Sequence, residues 1–312
     1  MITLIAGKLL RTFVALFIVV TLTFCILRSS GDPALTFLPP DATPQMVDEF
    51  RSKWGLNRSL GRQYLTYVGT VAQGHFGYSF VDGRPAMEVV AERIPKTMIL
   101  LGSSFIFMII LGVWLGILSS LNHNTWIDRA IMAISVIGYS IPNFFLGIIL
   151  ILFLSMQFKL LPSTGSHSWW HLIMPVLTIG TSGAAVITRF VRVAMLDVLK
   201  QPYIRTSRAR GLSEATVILR HALPNAAIPT VTVVGFLLGS LVAGAVVTEA
   251  VFAWPGIGRL TVTAVSTRDL AVVQTIVLLI ASTMICANLL VDFLYGWLDP
   301  RIRGTSGSRS KQ

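Results

Sequence analysis

Apolar positions in this chain do not alternate with polar ones; they come in blocks. Residues 9–27, 98–121, 131–156, 173–193, 229–251 and 270–290 are dominated by Leu, Ile, Val, Phe, Met, Ala and Gly. A helix needs about 20 mainly apolar residues to cross a hydrocarbon core, so the blocks predict six membrane-spanning helices. The third contains Pro142, which predicts a kink or a break, with neighbouring groups re-satisfying the freed carbonyl. Lys8 and Arg11 flank the start of the first block, as in a signal peptide. Phe24-Cys25-Ile26-Leu27-Arg28 is a poor cleavage site, however, so the block reads as an uncleaved anchor. Between the first two blocks, Thr43-Pro44 looks like a helix start and Gly55 like its end. Val47, Phe50 and Trp54 share one face of that helix. A second helical pattern runs from Ser59 through Tyr64, Tyr67 and Val71 to Gly74. Together these predict a small folded cap outside the membrane, which either packs on the bundle or docks a partner.

Composition agrees with the blocks. The chain is 54% hydrophobic and 12% charged, against about 25% charged for an average soluble domain. A net charge of +11 then reports basic cytoplasmic loops rather than nucleic-acid binding. Lys159 is alone in the loop near 158–172, and Arg259 and Arg268 occupy the loop near 253–269. Arg189, Arg192, Lys200, Arg205, Arg208, Arg210 and Arg220 crowd one central segment, and Arg301, Arg303, Arg309 and Lys311 the tail. The excess of positive charge on the cytoplasmic side places that segment and both termini in the cytoplasm. The loop over 29–97 is outside, and too long for its own charges to count. Cys25 and Cys286 both lie in apolar runs without a Cys/His cluster, so neither a disulfide framework nor a zinc site is predicted.

The central segment reads YIRTSRARGLSEATVILRHALPNA over 203–226. Pro202 starts a short helix on which Arg205 and Arg208 share a face, with Ser207 and Arg210 as a neighbouring pair. Gly211 is suited to the left-handed turn that stops it. Ser213 is a good N-cap for a second short helix, with Glu214 in its first turn; Ile218, Ala222 and Leu223 give it an apolar stripe, and Pro224 closes it. Two readings follow: an interfacial hairpin held by anionic membrane lipid, at about 1 kcal/mol per basic residue, or a knob that plugs into a cytoplasmic partner. The chain has no GxxxxGK[ST] phosphate loop, so an ATP-driven engine would be a separate subunit.

The same 24-residue stretch resembles the EAA loop of ABC importer permeases, with Gly211 at the glycine position and Leu223-Pro224 at the Leu-Pro position. Arg205, Thr206 and Ser207 stand in place of Glu-Ala-Ala and His221 in place of Ile, which suits the dipeptide, oligopeptide and nickel branch. GHFGYSFVDGRPAMEVVAERIPKT (74–97), SIPNFFLGIILILFLS (140–155), LPSTG (161–165), HLIMPVLTIG (171–180), TEAVFAWPGIGRL (248–260) and DFLYGWLDPRIR (292–303) resemble that branch in order along the chain. The resemblance implies an all-α integral membrane protein: a six-helix, type I ABC importer permease bundle with a cytoplasmic coupling hairpin at about 200–226. Its parts would be an anchor over 1–28, an outer loop over 29–97, a core over 98–296 and a cytoplasmic tail over 297–312. It implies ABC ATPase subunits that carry the ATP, a second and different permease, and an extracytoplasmic solute-binding protein, with no cofactor on this chain. Tyr203, Arg205, Ser207, Arg208, Gly211, Leu212, Leu223 and Pro224 would couple to the ATPase. The cargo it implies is short peptides, with nickel, an opine or another small solute as alternatives, carried across a bacterial inner membrane by alternating access.

Other polar residues in the blocks carry less. Glu249 lies near the outer end of the fifth block, where a carboxylate costs about 2.5–3.5 kcal/mol at mid-bilayer and less near the interface. Either it faces the pathway and meets a substrate ammonium, or it partners Arg259 or a backbone donor beside Trp254-Pro255-Gly256; the second is favoured. Asp292 and Asp299 are explained by pairing with Arg301 or Arg303. His167 and His171 have metal-ligand spacing only if helical, and Pro162, Gly165 and Ser166 argue for a loop. Gly112-xxx-Gly116 and Gly235-xxx-Gly239 allow close helix approach, and 235–244 also suit a permease–permease contact. There is no Ser-His-Asp set, HExxH or placed cysteine nucleophile, so an enzyme is not indicated. An ion-coupled secondary transporter would need mid-span acids or histidines and an internal repeat; only Glu249 lies well inside a block, and no repeat is visible.

Overall fold

The computed structural model describes residues 2–29, 31, 34, 38, 39 and 41–283. The end of the sixth block with Cys286, and the tail with Asp292, Asp299, Arg301 and Arg303, lie outside the described residues. The helices are α1 (Ile2–Ser29), α2 (Pro44–Lys53), α3 (Leu60–Ala72), α4 (Ala86–Ala91), α5 (Ile94–Leu121), α6 (Trp126–Ser140) and α7 (Asn143–Leu150), the last running on as a π-helical turn Ile151–Gln157. Then come α8 (Trp170–Leu199), α9 (Pro202–Ala209), α10 (Glu214–Thr216) with a π-helical turn Val217–Ala222, α11 (Leu223–Val251), α12 (Ile257–Ser266) and α13 (Leu270–Thr283). Two compact units form: Arg93–Arg259, and Met1–Glu92 with Leu260–Gln312.

In the second of these, helices form over the two stretches where the sequence predicts them, Pro44–Lys53 and Leu60–Ala72. Thr43 Oγ1 accepts the Met46 N–H at the start of α2, and Gly55 takes φ +66° at its end. Phe50 and Trp54 close on Phe80, the Trp54 and Phe80 rings meeting edge-on at 4.7 Å. The tyrosines of α3 lie on α1: Tyr64 and Tyr67 flank the Phe24 ring at 5.3 and 5.9 Å, and the Tyr64 hydroxyl is 2.7 Å from that of Thr21. The loop before α4 is tied to the start of α13. Ser79 Oγ donates to Asp269 Oδ2 and accepts the N–H groups of Val81 and Asp82. Asp269 Oδ1 accepts the Val272 N–H at 3.4 Å, capping α13. Both side chains are buried.

The unit Arg93–Arg259 is a helical bundle built on α5 and α8. Their approach is set by glycine. A Cβ on Gly112 would stand 2.6 Å from Ile187 Cβ, and one on Gly116 2.6 Å from Val191 Cβ, so only Gly permits this spacing. From the other side, Gly180 and Gly183 of α8 receive Phe107 and Met108. Leu100, Met108, Ile179, Ile187, Val191 and Met195 fill the contact. The third block is broken rather than gently kinked. Residues 126–140 and 143–157 meet at 102°, because Ile141 is extended (φ −77°, ψ 122°) before Pro142. At the far end of α8, Asp128 and Arg192 form a bidentate ion pair (2.7 and 2.7 Å), and Ser119 Oγ donates to the same carboxylate at 2.5 Å.

Candidate functional site

The basic hairpin begins where Gln201 is extended and Pro202 occupies the first turn of α9, the position where a missing N–H costs nothing. Eight residues later the helix stops. Gly211 takes φ +76° and donates to Arg208 O at 3.0 Å, and nothing stands within 4 Å of where its Cβ would be. The conformation, not crowding, calls for glycine. Ser213 Oγ then accepts the Thr216 N–H and caps the next turn.

One residue anchors α9. Ile204 is fully buried and belongs to the same apolar cluster as Met195, Val217, Ala222 and Ala226. The rest of the helix surface is open: Tyr203, Arg205, Thr206, Arg208, Arg210 and Leu212 are exposed. Among the residues singled out from the sequence, Arg205 and Arg208 do share the outer side. Ser207 turns inward, half-buried, and donates to Tyr203 O at 2.9 Å. Arg208 is braced across the elbow by Glu214, with its Nε and Nη2 at 3.1 and 2.5 Å from the carboxylate oxygens. That hydrogen bonding raises the guanidinium pKa further above its ordinary value. The sequence places Glu214 only in the first turn of the second helix and does not pair it with Arg208.

The second arm differs from the sequence expectation. Leu223-Pro224 does not close a separate helix; the chain stays helical from Glu214 to Val251. Pro224 sits in the first turn of α11, behind the π-helical turn Val217–Ala222. That wider turn gives the proline ring room where an α-helical carbonyl would clash. Leu223 is half-buried against the bundle core and Pro224 is exposed.

Glu249 is also placed differently from a pathway group. Its side chain has 0% exposure. Thr97 Oγ1 donates to Oε1 at 2.7 Å, and the Arg259 N–H donates to Oε2 at 3.1 Å. Thr97 Oγ1 in turn accepts the Ile257 N–H at 2.8 Å. The carboxylate is enclosed by these donors, as expected of a structural partner. It holds the 252–258 segment through backbone donors, and the Arg259 guanidinium goes instead to Ala253 O at 2.7 Å. A Cβ on Gly256 or Gly258 would collide with the carboxylate or the Val246 backbone. His167 stands in the loop before α8; His171, in its first turn, is held by Ser168, whose Oγ is 2.9 Å from Nδ1.

With the bundle and hairpin described, comparison with known proteins gives the family. Residues 98–304 match the binding-protein-dependent transport system inner membrane component family, and residues 1–101 match its N-terminal companion. The chain belongs to this permease family. It is 41% identical over 304 residues to the glutathione transport system permease protein GsiC of Escherichia coli (strain K12), spanning 97% of this chain and 99% of that one. The protein of the same name from Shigella dysenteriae serotype 1 (strain Sd197) gives the same figures. A chain of the inward-facing MetNI methionine ABC transporter (CY5 native crystal form) superposes with a TM-score of 0.58 at 22% identity. That match covers 68% of this permease and 97% of the MetNI chain. The permease is therefore a multi-pass inner-membrane subunit of an ABC importer with the type I bundle, and not an enzyme.

Proposed function

We propose that this permease carries short peptides inward by alternating access, driven by ATP bound on separate ATPase subunits. Its termini and basic hairpin face the cytoplasm, as the Lys and Arg distribution argues. A second, different permease completes the path, and an extracytoplasmic binding protein delivers cargo to the outer end. The peptide cargo rests on the glutathione permease relatives. The coupling role of α9 rests on one observation: a short helix leaves Arg205 and Arg208 exposed while Ile204 fastens it to the bundle core.

Swinging a gate from 1:99 to 99:1 takes about 5.5 kcal/mol of differential binding. A few desolvated arginine contacts on an ATPase can supply that. Lipid headgroups bind the same charges but give them no direction. The expected result for Arg205→Glu combined with Arg208→Glu is loss of uptake together with loss of ATPase co-purification. Arg205→Cys should cross-link to an ATPase subunit in the purified complex. Cross-links to lipid alone, with uptake intact in the charge-reversed protein, would refute the coupling role.

A further inference from the structure

Within the unit Arg93–Arg259, the broken third block leaves a cavity of about 220 Å³ among α5, α6, α7, α8 and α11. Most of its wall is apolar. The polar exceptions are Tyr139, Asn143 and Ser182, and the first two lie on either side of the break at Ile141-Pro142. Asn143 begins α7, so the positive end of that helix dipole is at the wall. Ser182, Val186 and Arg189 follow one face of α8 at spacings of four and three. The first two line the cavity. Arg189 lies beyond them with its guanidinium carbon 5.4 Å from the centre of the Tyr139 ring.

The chemistry of Arg189 is unresolved by the bundle itself. Its Nε is buried and has no hydrogen-bond partner among the described residues. Arg192, one turn on, shows what a structural arginine does here: it spends its Nε and Nη2 on Asp128. Arg189 lies inside the fourth apolar block, 173–193, four residues before its end. A guanidinium within an apolar block carries a cost unless an anion or water meets it. The Tyr139 face relieves part of that cost, but supplies no acceptor for the N–H groups.

We propose that Arg189, assisted by Tyr139, Asn143 and Ser182, is an anion subsite on the transport path that takes a carboxylate of the passing solute. This rests on the peptide-import reading above and narrows it to free-acid peptides. A guanidinium is the side chain suited to a carboxylate, because its planar fork matches the two oxygens. Tyr139, Asn143 and Ser182 bring hydroxyl and amide donors to the wall of the adjoining cavity.

The test uses the whole complex, with its ATPases and partner permease, in nanodiscs of neutral lipid. The probe pair is glutathione and its diethyl ester, which differ only in their carboxylates. Phenylglyoxal modification of Arg189, followed by mass spectrometry, should slow at least severalfold with glutathione and not with the ester. In vesicles supplied with the binding protein, Arg189→Gln should lower glutathione uptake roughly ten- to hundredfold, the usual range for a lost charged hydrogen bond. Arg189→Lys should recover part of it, and ATPase co-purification should be unchanged in both. Equal uptake by wild type and Arg189→Gln overturns the subsite while leaving peptide import standing. Protection that follows added anionic lipid rather than glutathione assigns the guanidinium to a headgroup and also overturns it. A wild-type complex that imports no peptide removes both readings together.

Discussion

At the scale of single residues, two glycine pairs with the same spacing behave differently. Gly112 and Gly116 are pressed against α8, whereas Gly235 and Gly239 have nothing within 4 Å. Gly116→Ala should therefore destabilise the solubilised permease by about 1–3 kcal/mol through overpacking. Gly239→Ala should be neutral or gain up to about 1 kcal/mol from helix propensity. Thermal unfolding in detergent compares the two directly. The sequence gives both pairs the same GxxxG signature, and only the neighbour across the gap separates them. Asp128 makes a related point. Its side chain is 4% exposed and that of Arg192 19%, so Asp128→Asn should cost about 3–5 kcal/mol by stranding a buried guanidinium. An apolar pair at both positions should recover most of that loss in the same measurement. The sequence shows Arg192 as part of a basic segment and does not show its pairing with Asp128, because a partner 64 residues away leaves no local trace.

At the scale of elements, what was legible depended on whether the signal was local. The stop of α9 at Gly211, the Ser213 cap and the Thr43 cap are short-range chemistry, and each stands where the sequence puts it. Pro224 departs from the expected helix end because the relieving feature is a π-helical turn, which residue spacing does not announce. For Glu249 the sequence favours a structural partner beside Trp254-Pro255-Gly256, and the donors that claim it come from Thr97 and from the backbone after Gly256. Thr97→Val removes both bonds made by one hydroxyl, to Glu249 and from Ile257 N. It should destabilise the 252–258 segment by about 1–3 kcal/mol, seen as faster hydrogen exchange there with α9 unaffected. The elbow admits a cleaner test. A double-mutant cycle on Arg208 and Glu214 should return a coupling below about 1 kcal/mol, because both groups are exposed. A larger value would mean that the pair is shielded in the assembled complex.

At the scale of the whole molecule, one face of α11 is left open. Ile228, Val231 and Phe236 are 71%, 58% and 79% exposed, beside the open Gly235 and Gly239. Lipid or a second permease can cover such a face. Close approach at glycine favours a helix from a partner, so Gly235→Leu should weaken permease pairing while leaving the fold of the single chain intact. Size-exclusion of the purified complex reads the first effect and detergent melting the second. The unbroken path from Glu214 to Val251 bears on how such an assembly works. At 1.5 Å per residue it is about 57 Å long, and no loop interrupts it. Pro229 lies inside it and a π-helical turn precedes Pro224, so the path is continuous but has two places where a helix bends. A rigid 5° tilt about its middle would move each tip by about 2.5 Å, linking the elbow to the Glu249 clasp through one helix.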